Sequence, residues 1–309
     1  MKEAVIVGAL RTPIGKFLGA LKSLSAVHLG AIVVNALIER YQLLSEQVEE
    51  IIMGNVVSSG LGQNPARQAG LKGGLTPAVA ALTVNKVCGS GLKAIGLAAQ
   101  AIQLGEAELI IAGGMESMSN APYLLPGARE GLRLGHAKVL DSMIQDGLWD
   151  AFEDFHMGHT GELVAERYRI SRQQQDEFAL NSHRKAVAAI KEGRFRSQLV
   201  PVPLLEKKGA TDSFEVDESP RADTTLEKLR ELKPVFKKDG TITAGNAPGT
   251  NDGAAAVVVA SAEKARQLDL PVMAAIRGQA VSGVEPREVM MAPVSAVEKL
   301  LKKTGWQRD

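Results

Sequence analysis

The chain has 309 residues, 45% of them hydrophobic, long enough to bury roughly 75% of the surface its unfolded form would expose, so one large domain or two is expected. Its 36 basic and 35 acidic residues leave a net charge of +1, which supplies no protein-wide field for nucleic acid or a membrane surface. A single cysteine excludes an internal disulfide and fits a reducing compartment, cytoplasmic by default, and no uncharged apolar stretch approaches the ~18 residues of a membrane span.

The apolar run from Ala4 leads into Arg11-Thr12-Pro13 without a small-residue cleavage pattern, so it reads as a buried first strand (Ala4 to Val7) and not as a signal peptide. A helix is predicted from about Ser25 to Arg40, with Ser25 as its cap and Leu29, Ile32, Val33, Ala36 and Leu37 on its apolar stripe. Ile51 to Met53 starts a second strand. From Ala80 a strand is expected to enter Cys88, with Gly89-Ser90-Gly91 opening a helix, Gly105 ending it and Leu109 to Ala112 forming a buried strand. This alternation predicts an α/β fold built on a mostly parallel sheet covered by helices.

After Gly114 the composition shifts to prolines, charges and turn signals. The span 119–249 is expected to be one inserted domain interrupting a core of 1–118 plus 250–270. Within it, Ser171 and Gln174 match a capping box and Gly193 a terminator. Asn251-Asp252-Gly253 reads as a turn, Ala254 to Ala260 as a buried strand, and Val272 to Val281 as a further strand. Val294, Val297, Leu300, Leu301 and Thr304 line a helix closed by Gly305, so 271–309 is expected to begin a second, incomplete core domain.

A cysteine at a helix N-terminus meets unpaired N–H groups and partial positive charge, which favour a thiolate and hold an oxyanion, the needs of acyl transfer. The competing reading is an inert buried thiol, the commoner fate of a lone intracellular cysteine. Val84-Asn85-Lys86-Val87-Cys88-Gly89-Ser90-Gly91-Leu92-Lys93-Ala94 resembles the active-site segment of thiolases. Arg11 to Phe17, Gly62 to Gln68, Gly113-Gly114-Met115-Glu116-Ser117-Met118-Ser119 and Thr243-Ala244-Gly245-Asn246 resemble other blocks of that family, in the same order.

The resemblance implies a layered αβαβα fold of two similar halves, here with the first half complete, its loop domain inserted and the second half mostly absent. It implies that Cys88 attacks an acyl-CoA thioester and carries the acyl group. Phe155-His156-Met157-Gly158 resembles a loop-domain segment of the short-chain type, which assigns His156 and Met157, with Leu148 upstream, to the acyl and pantetheine channel. Arg221, Phe236 and Ala244 match positions that touch the nucleotide or pantetheine arm, while Lys228 and Pro248 replace smaller polar residues.

By itself His156 would read as a structural histidine and Arg221 as a solvated charge. No metal and no permanently bound cofactor is expected, and coenzyme A or acyl-CoA enters as substrate. Acetyl-CoA and acetoacetyl-CoA are the expected partners, within a homodimer or homotetramer. A ketoacyl-synthase-like condensing enzyme and a non-catalytic coenzyme A binder remain alternatives.

Neither Gly113-Gly114 nor Gly245-Asn246 matches GxGxxG, and both pairs read as close-packed turns. The family's Asn-Glu-Ala-Phe segment, Gly-His-Pro segment and second cysteine do not occur in these residues. The chain is therefore read as a truncated thiolase, with little turnover expected.

Overall fold

A computed structural model of the chain describes residues 1–205 and 211–308. The chain forms two compact units, Met1–Gly147, Phe195–Ser219 and Thr250–Ile276 in the first, and Leu148–Arg194, Pro220–Gly249 and Arg277–Asp309 in the second. These units cut the expected 119–249 insertion into pieces. Residues 119–147 and 195–219 belong with the sheet, and 277–309 group with the second unit.

The first unit is organised by a seven-stranded sheet. Its strands are β1 (Ala4–Arg11), β2 (Glu50–Gly54), β3 (Ala80–Val84), β4 (Leu109–Ser117), β5 (Asn251–Ser261) and the two-residue β6 (Ala274–Ala275), in the order β6-β1-β5-β4-β2-β3, with Gly15–Lys16 paired onto β5. β2, β3 and β4 run parallel, whereas β5 is antiparallel to both β1 and β4. The sheet is thus mixed and not mostly parallel, because β5 returns from a distant part of the sequence between two strands formed early.

Alternation along the strands distributes the core over two faces. Ile51, Met53, Leu109 and Ile111 join α1 (Ala26–Arg40) and α2 (Pro65–Lys72) on one face, together with Ala265 of α7 (Ala262–Gln267). Ile52, Ile110 and Ala112 meet Ala94, Ala98 and Ile102 of α3 (Ser90–Leu104) on the other. Leu29, Val33 and Leu37 of α1 are fully buried, each contributing about 1.5–3 kcal/mol. Ser25 caps that helix from its side chain, as the sequence predicts.

Asn251-Asp252-Gly253 is not a turn but the start of β5, pairing with Gly15–Lys16 and with Ser117 and Glu116. Turn propensity yields here because the buried Asp252 carboxylate is satisfied by the N–H and hydroxyl of Ser119 at 2.9 and 2.5 Å. Gly113-Gly114 likewise lies inside β4. Of Val272 to Val281 only Ala274–Ala275 is strand, opposite Val5 and Ile6, and the chain joins the second unit from Arg277. Arg11 forks onto Asp217 at 2.8 and 3.0 Å, and so ties the 195–219 segment to the end of β1.

The second unit contains α4 (Met157–Arg167), α5 (Arg172–Lys191), α6 (Leu226–Arg230) and α8 (Ala292–Thr304). Ser171 and Gln174 form the expected capping box on α5, and Gly193 takes φ 69° beyond it. Gly305 closes α8 at φ 71°, yet Val294 and Val297 remain about half exposed. Among the described residues no helix is long and apolar enough to cross a membrane.

Candidate functional site

The parallel register aligns the carboxyl ends of β2 and β3, Gly54 opposite Val84, and sets both beside Gly114, three residues before the end of β4. Such an edge is where open α/β sheets place their ligands. The first turn of α3 is packed directly against it. A Cβ on Gly54 would lie 2.6 Å from the Gly91 nitrogen and 2.7 Å from the Ser90 Cβ, so only glycine lets the helix start this close to the strand.

Cys88 does not end the strand, as the sequence reading expected, because Asn85-Lys86-Val87 intervene between β3 and it. Its thiol is exposed, against the reading of an inert buried cysteine. Val87 takes φ 48°, a left-handed conformation that costs a β-branched residue about 1–2 kcal/mol. The Asn85 Oδ1 accepts the Val87 N–H at 2.9 Å. The Ser90 Oγ accepts the Lys86 N–H at 2.8 Å and donates to the Val87 carbonyl at 2.5 Å.

The N-cap of α3 is Gly89, and no side chain caps the helix. The first of its N–H groups, that of Ser90, is taken by the Val87 carbonyl at 3.1 Å, and the partial positive charge of the helix start lies two residues from Cys88 in the chain.

Glu116 lies near the end of β4. Its carboxylate accepts from the Asn55 Nδ2 at 2.8 Å, the Val56 N–H at 2.9 Å and the Val57 N–H at 3.3 Å. Burial pushes the Glu116 carboxyl above the usual range, even though these hydrogen bonds favour its charged form. The Val56 carbonyl in turn faces the Asn85 Nδ2 at 3.5 Å. Glu116 fell inside a family-like block, but nothing in the sequence assigned it this task.

In the second unit, Phe155 and His156 pair with Trp149 and Asp150 in a short antiparallel ladder. His156 caps α4, its Nδ1 accepting the Gly158 N–H at 3.0 Å. That bond leaves Nε2 to carry the proton of the neutral ring. Burial, followed by the nearby His159, lowers the His156 pKa.

Its ring stacks on Phe236 with centroids 4.9 Å apart, and His159 meets the same phenyl edge-on at 5.9 Å. A Cβ on Gly158 would overlap the Phe236 ring, which accounts for glycine in the Phe-His-Met-Gly segment. Met157 opens α4 and is half-buried. His159 was not singled out in the sequence, although its i+3 spacing from His156 puts it on a neighbouring helix position.

Ala244 is exposed in a tight turn. The Thr243 carbonyl accepts the Ala247 N–H at 3.0 Å, and the Asn246 Nδ2 reaches Asp176 of α5 at 3.0 Å. Arg221 is also exposed, and its backbone N–H donates to the His183 Nδ1 at 3.2 Å. Lys228 hydrogen-bonds the Asp223 carbonyl and carboxylate, both at 2.8 Å. Leu148 is half-buried at the end of the π-helical turn Met143–Leu148.

His156, Met157 and Phe236 are thus gathered around the start of α4, while Arg221 attaches to α5 through His183, and the turn that carries Ala244 does so through the bond from Asn246 to Asp176. Among the described residues no group of three or more His, Cys, Asp or Glu side chains is placed to hold a metal ion.

The sequence profile of the thiolase N-terminal domain matches residues 4–263. An acetyl-CoA acetyltransferase of Pseudomonas aeruginosa is 55% identical over 309 residues, 100% of this chain and 79% of that protein. One from Cupriavidus necator is 52% identical over 306 residues, 99% of this chain and 78% of its own. The crystal structure of a Bacillus anthracis acetyl-CoA acetyltransferase superposes with a TM-score of 0.96 at 42% identity, covering 99% of this chain and 77% of the other. With its mixed sheet, the helices on both faces and the loop that carries Cys88, the chain belongs to the thiolase family.

Proposed function

We propose that the protein is an acyl-CoA acyltransferase of the acetyl-CoA C-acetyltransferase type, whose reaction is condensation of two acetyl-CoA molecules to acetoacetyl-CoA or the reverse thiolysis, and that these 309 residues, with Cys88 but no second cysteine, are acylated but turn over slowly. The observation that carries this reading is the exposed Cys88, held by a strained loop at the uncapped start of α3. The names of the relatives support the acetyl substrate.

In the first step the Cys88 Sγ bonds to the thioester carbonyl carbon and the carbon–sulfur bond to coenzyme A breaks. The thiol proton leaves with coenzyme A. The helix dipole favours negative charge on the attacking sulfur and on the carbonyl oxygen. In the second step the acyl carbon bonds to the methyl carbon of another acetyl-CoA, or to the coenzyme A sulfur; the carbon–sulfur bond to Cys88 breaks, and the proton lost by that methyl or thiol ends on the freed Cys88 sulfur.

Coenzyme A is a substrate in this scheme, and no resident cofactor takes part. The imidazole of His156, the thioether of Met157 and the Phe236 ring offer a pantetheine arm an apolar wall, with Leu148 preceding them. The Arg221 guanidinium suits phosphate or adenine, and the Ala244 turn presents backbone without a bulky side chain. A homodimer or homotetramer working in cytoplasmic fatty acid metabolism completes the proposal.

The reading is tested by mixing the chain with excess acetyl-CoA and quantifying free coenzyme A by chromatography. A burst of about one equivalent per chain is expected, and none from Cys88→Ser. An equal burst from that variant would place the acyl carrier elsewhere.

A further inference from the structure

We infer that Ser90 is a positioning residue for acyl transfer at Cys88, an inference that rests on the acyltransferase reading and adds a named device to it. Ser90 is only 4% exposed. Neither of its side-chain hydrogen bonds goes to the body of α3 or to the sheet. Both go to the loop that carries the thiol, one accepted from the Lys86 N–H and one donated to the Val87 carbonyl.

The backbone shares this closure, since the Gly89 N–H reaches the Lys86 carbonyl at 3.1 Å and the Ser90 N–H reaches the Val87 carbonyl at 3.1 Å. The hydroxyl is therefore a cross-brace over the two residues that precede Cys88.

A brace is needed because Val87 has φ 48°, a conformation that a β-branched residue leaves unless its surroundings hold it. Val87 is half exposed, so core packing does not do the holding. Asn85 fixes its N–H from one side and Ser90 its carbonyl from the other. Relaxation of Val87 toward negative φ would rotate the next peptide and swing the Cys88 side chain away from the start of α3. Near-attack geometry is sensitive to displacements of this kind, with about 1 Å able to cost a hundredfold in rate.

Two reactions of the same thiol separate positioning from general structure. Acetylation by acetyl-CoA needs the sulfur aligned with a bound thioester, whereas alkylation by iodoacetamide, a small unanchored reagent, does not. Ser90→Ala is expected to slow single-turnover acetylation of Cys88 about tenfold while alkylation stays within about twofold. Val87→Gly removes the reason for the brace, since glycine takes positive φ freely. The double variant Val87→Gly/Ser90→Ala should therefore acetylate within about threefold of the unsubstituted chain, a non-additivity expected of residues serving one geometry.

Acetylation unaffected by Ser90→Ala would overturn the inference. So would acetylation and alkylation falling together without rescue at position 87. If Ser90→Ala alone does not fold, the double variant decides: acetylation within about threefold supports the brace, and failure to fold or acetylate rejects it. Absence of any acetyl adduct on the unsubstituted chain would remove the acyltransferase reading itself, and this inference with it.

Discussion

The imidazole of His156 lies on the phenyl ring of Phe236, with centroids 4.9 Å apart and planes 18° from parallel. Both rings are half-buried, His159 meets the same phenyl edge-on, and Gly158 leaves room for it. Stacked rings of this kind contribute about 0.5–1.5 kcal/mol beyond the area they bury. Phe236→Ala should destabilise the chain by about 2 kcal/mol and weaken coenzyme A binding about tenfold. Isothermal titration with coenzyme A checks it, and undiminished affinity would move the pantetheine contact elsewhere.

The pH response of the same pair has a definite sign. Burial and then His159 lower the His156 pKa in the folded chain beneath its unfolded value of 6.5. As pH falls below 6.5 the unfolded chain gains the proton first, so stability is lost toward acid and recovered above 6.5. An NMR titration should find the His156 midpoint below 6.5. His156→Asn keeps a cap for the Gly158 N–H and does not titrate. Its unfolding temperature should therefore drop less between pH 7.5 and 5.5 than that of the unsubstituted chain, and an equal drop would locate the acid sensitivity in another group.

Glu116 is expected to behave in the opposite way. Burial raises its pKa above 4.5, so the folded chain holds that proton over a range where the unfolded chain has released it. Stability from this source is present below 4.5 and is lost as pH rises through the raised value. Glu116→Gln offers one acceptor oxygen where Asn55, Val56 and Val57 aim donors at two. It should cost about 1–3 kcal/mol at pH 4, below the unfolded value of 4.5, with the gap narrowing toward pH 7.5. Urea unfolding at the two pH values measures it, and a gap that widens would refute the assignment.

At the end of β2 a single methyl group should be enough to disturb the nucleophile. The Cβ of Gly54→Ala would meet the backbone of Ser90 and Gly91, atoms that cannot swing aside as a flexible side chain would. The first turn of α3 must move instead. Loss of about 1–3 kcal/mol of stability is predicted, together with slower acetylation of Cys88. A variant of unchanged stability and rate would mean that α3 is not seated as described.

Much of the first unit was legible in the sequence because its signals are local. Ser25 before a 3.6-residue stripe, Gly105 after one and the run Ala254 to Ala260 each report their own element. Local preference fails as a guide where distant pairing overrides it. Asn251-Asp252-Gly253 has the composition of a turn, but Asp252 finds Ser119 and the segment is drawn into β5. Val272 to Val281 has the composition of a strand, but its contact with β1 is short: Ala274–Ala275 pair with it as strand, and the Met273 and Ile276 N–H groups reach the Ile6 and Ala4 carbonyls.

The site divides along the same line. Cys88 announced itself by chemistry and by a neighbouring pattern. The tasks of Ser90 and Glu116 exist only once the loop and sheet edge are folded. His183, 38 positions from Arg221, gave no signal at all.

Whether Cys88 carries the acyl group is decided by peptide mapping by mass spectrometry after brief reaction of the chain with acetyl-CoA and acid quenching. One acetyl group is expected, on the peptide containing Cys88, and hydroxylamine should remove it as it does a thioester. An unmodified Cys88 peptide, or an acetyl group found only on lysines and resistant to hydroxylamine, would contradict it.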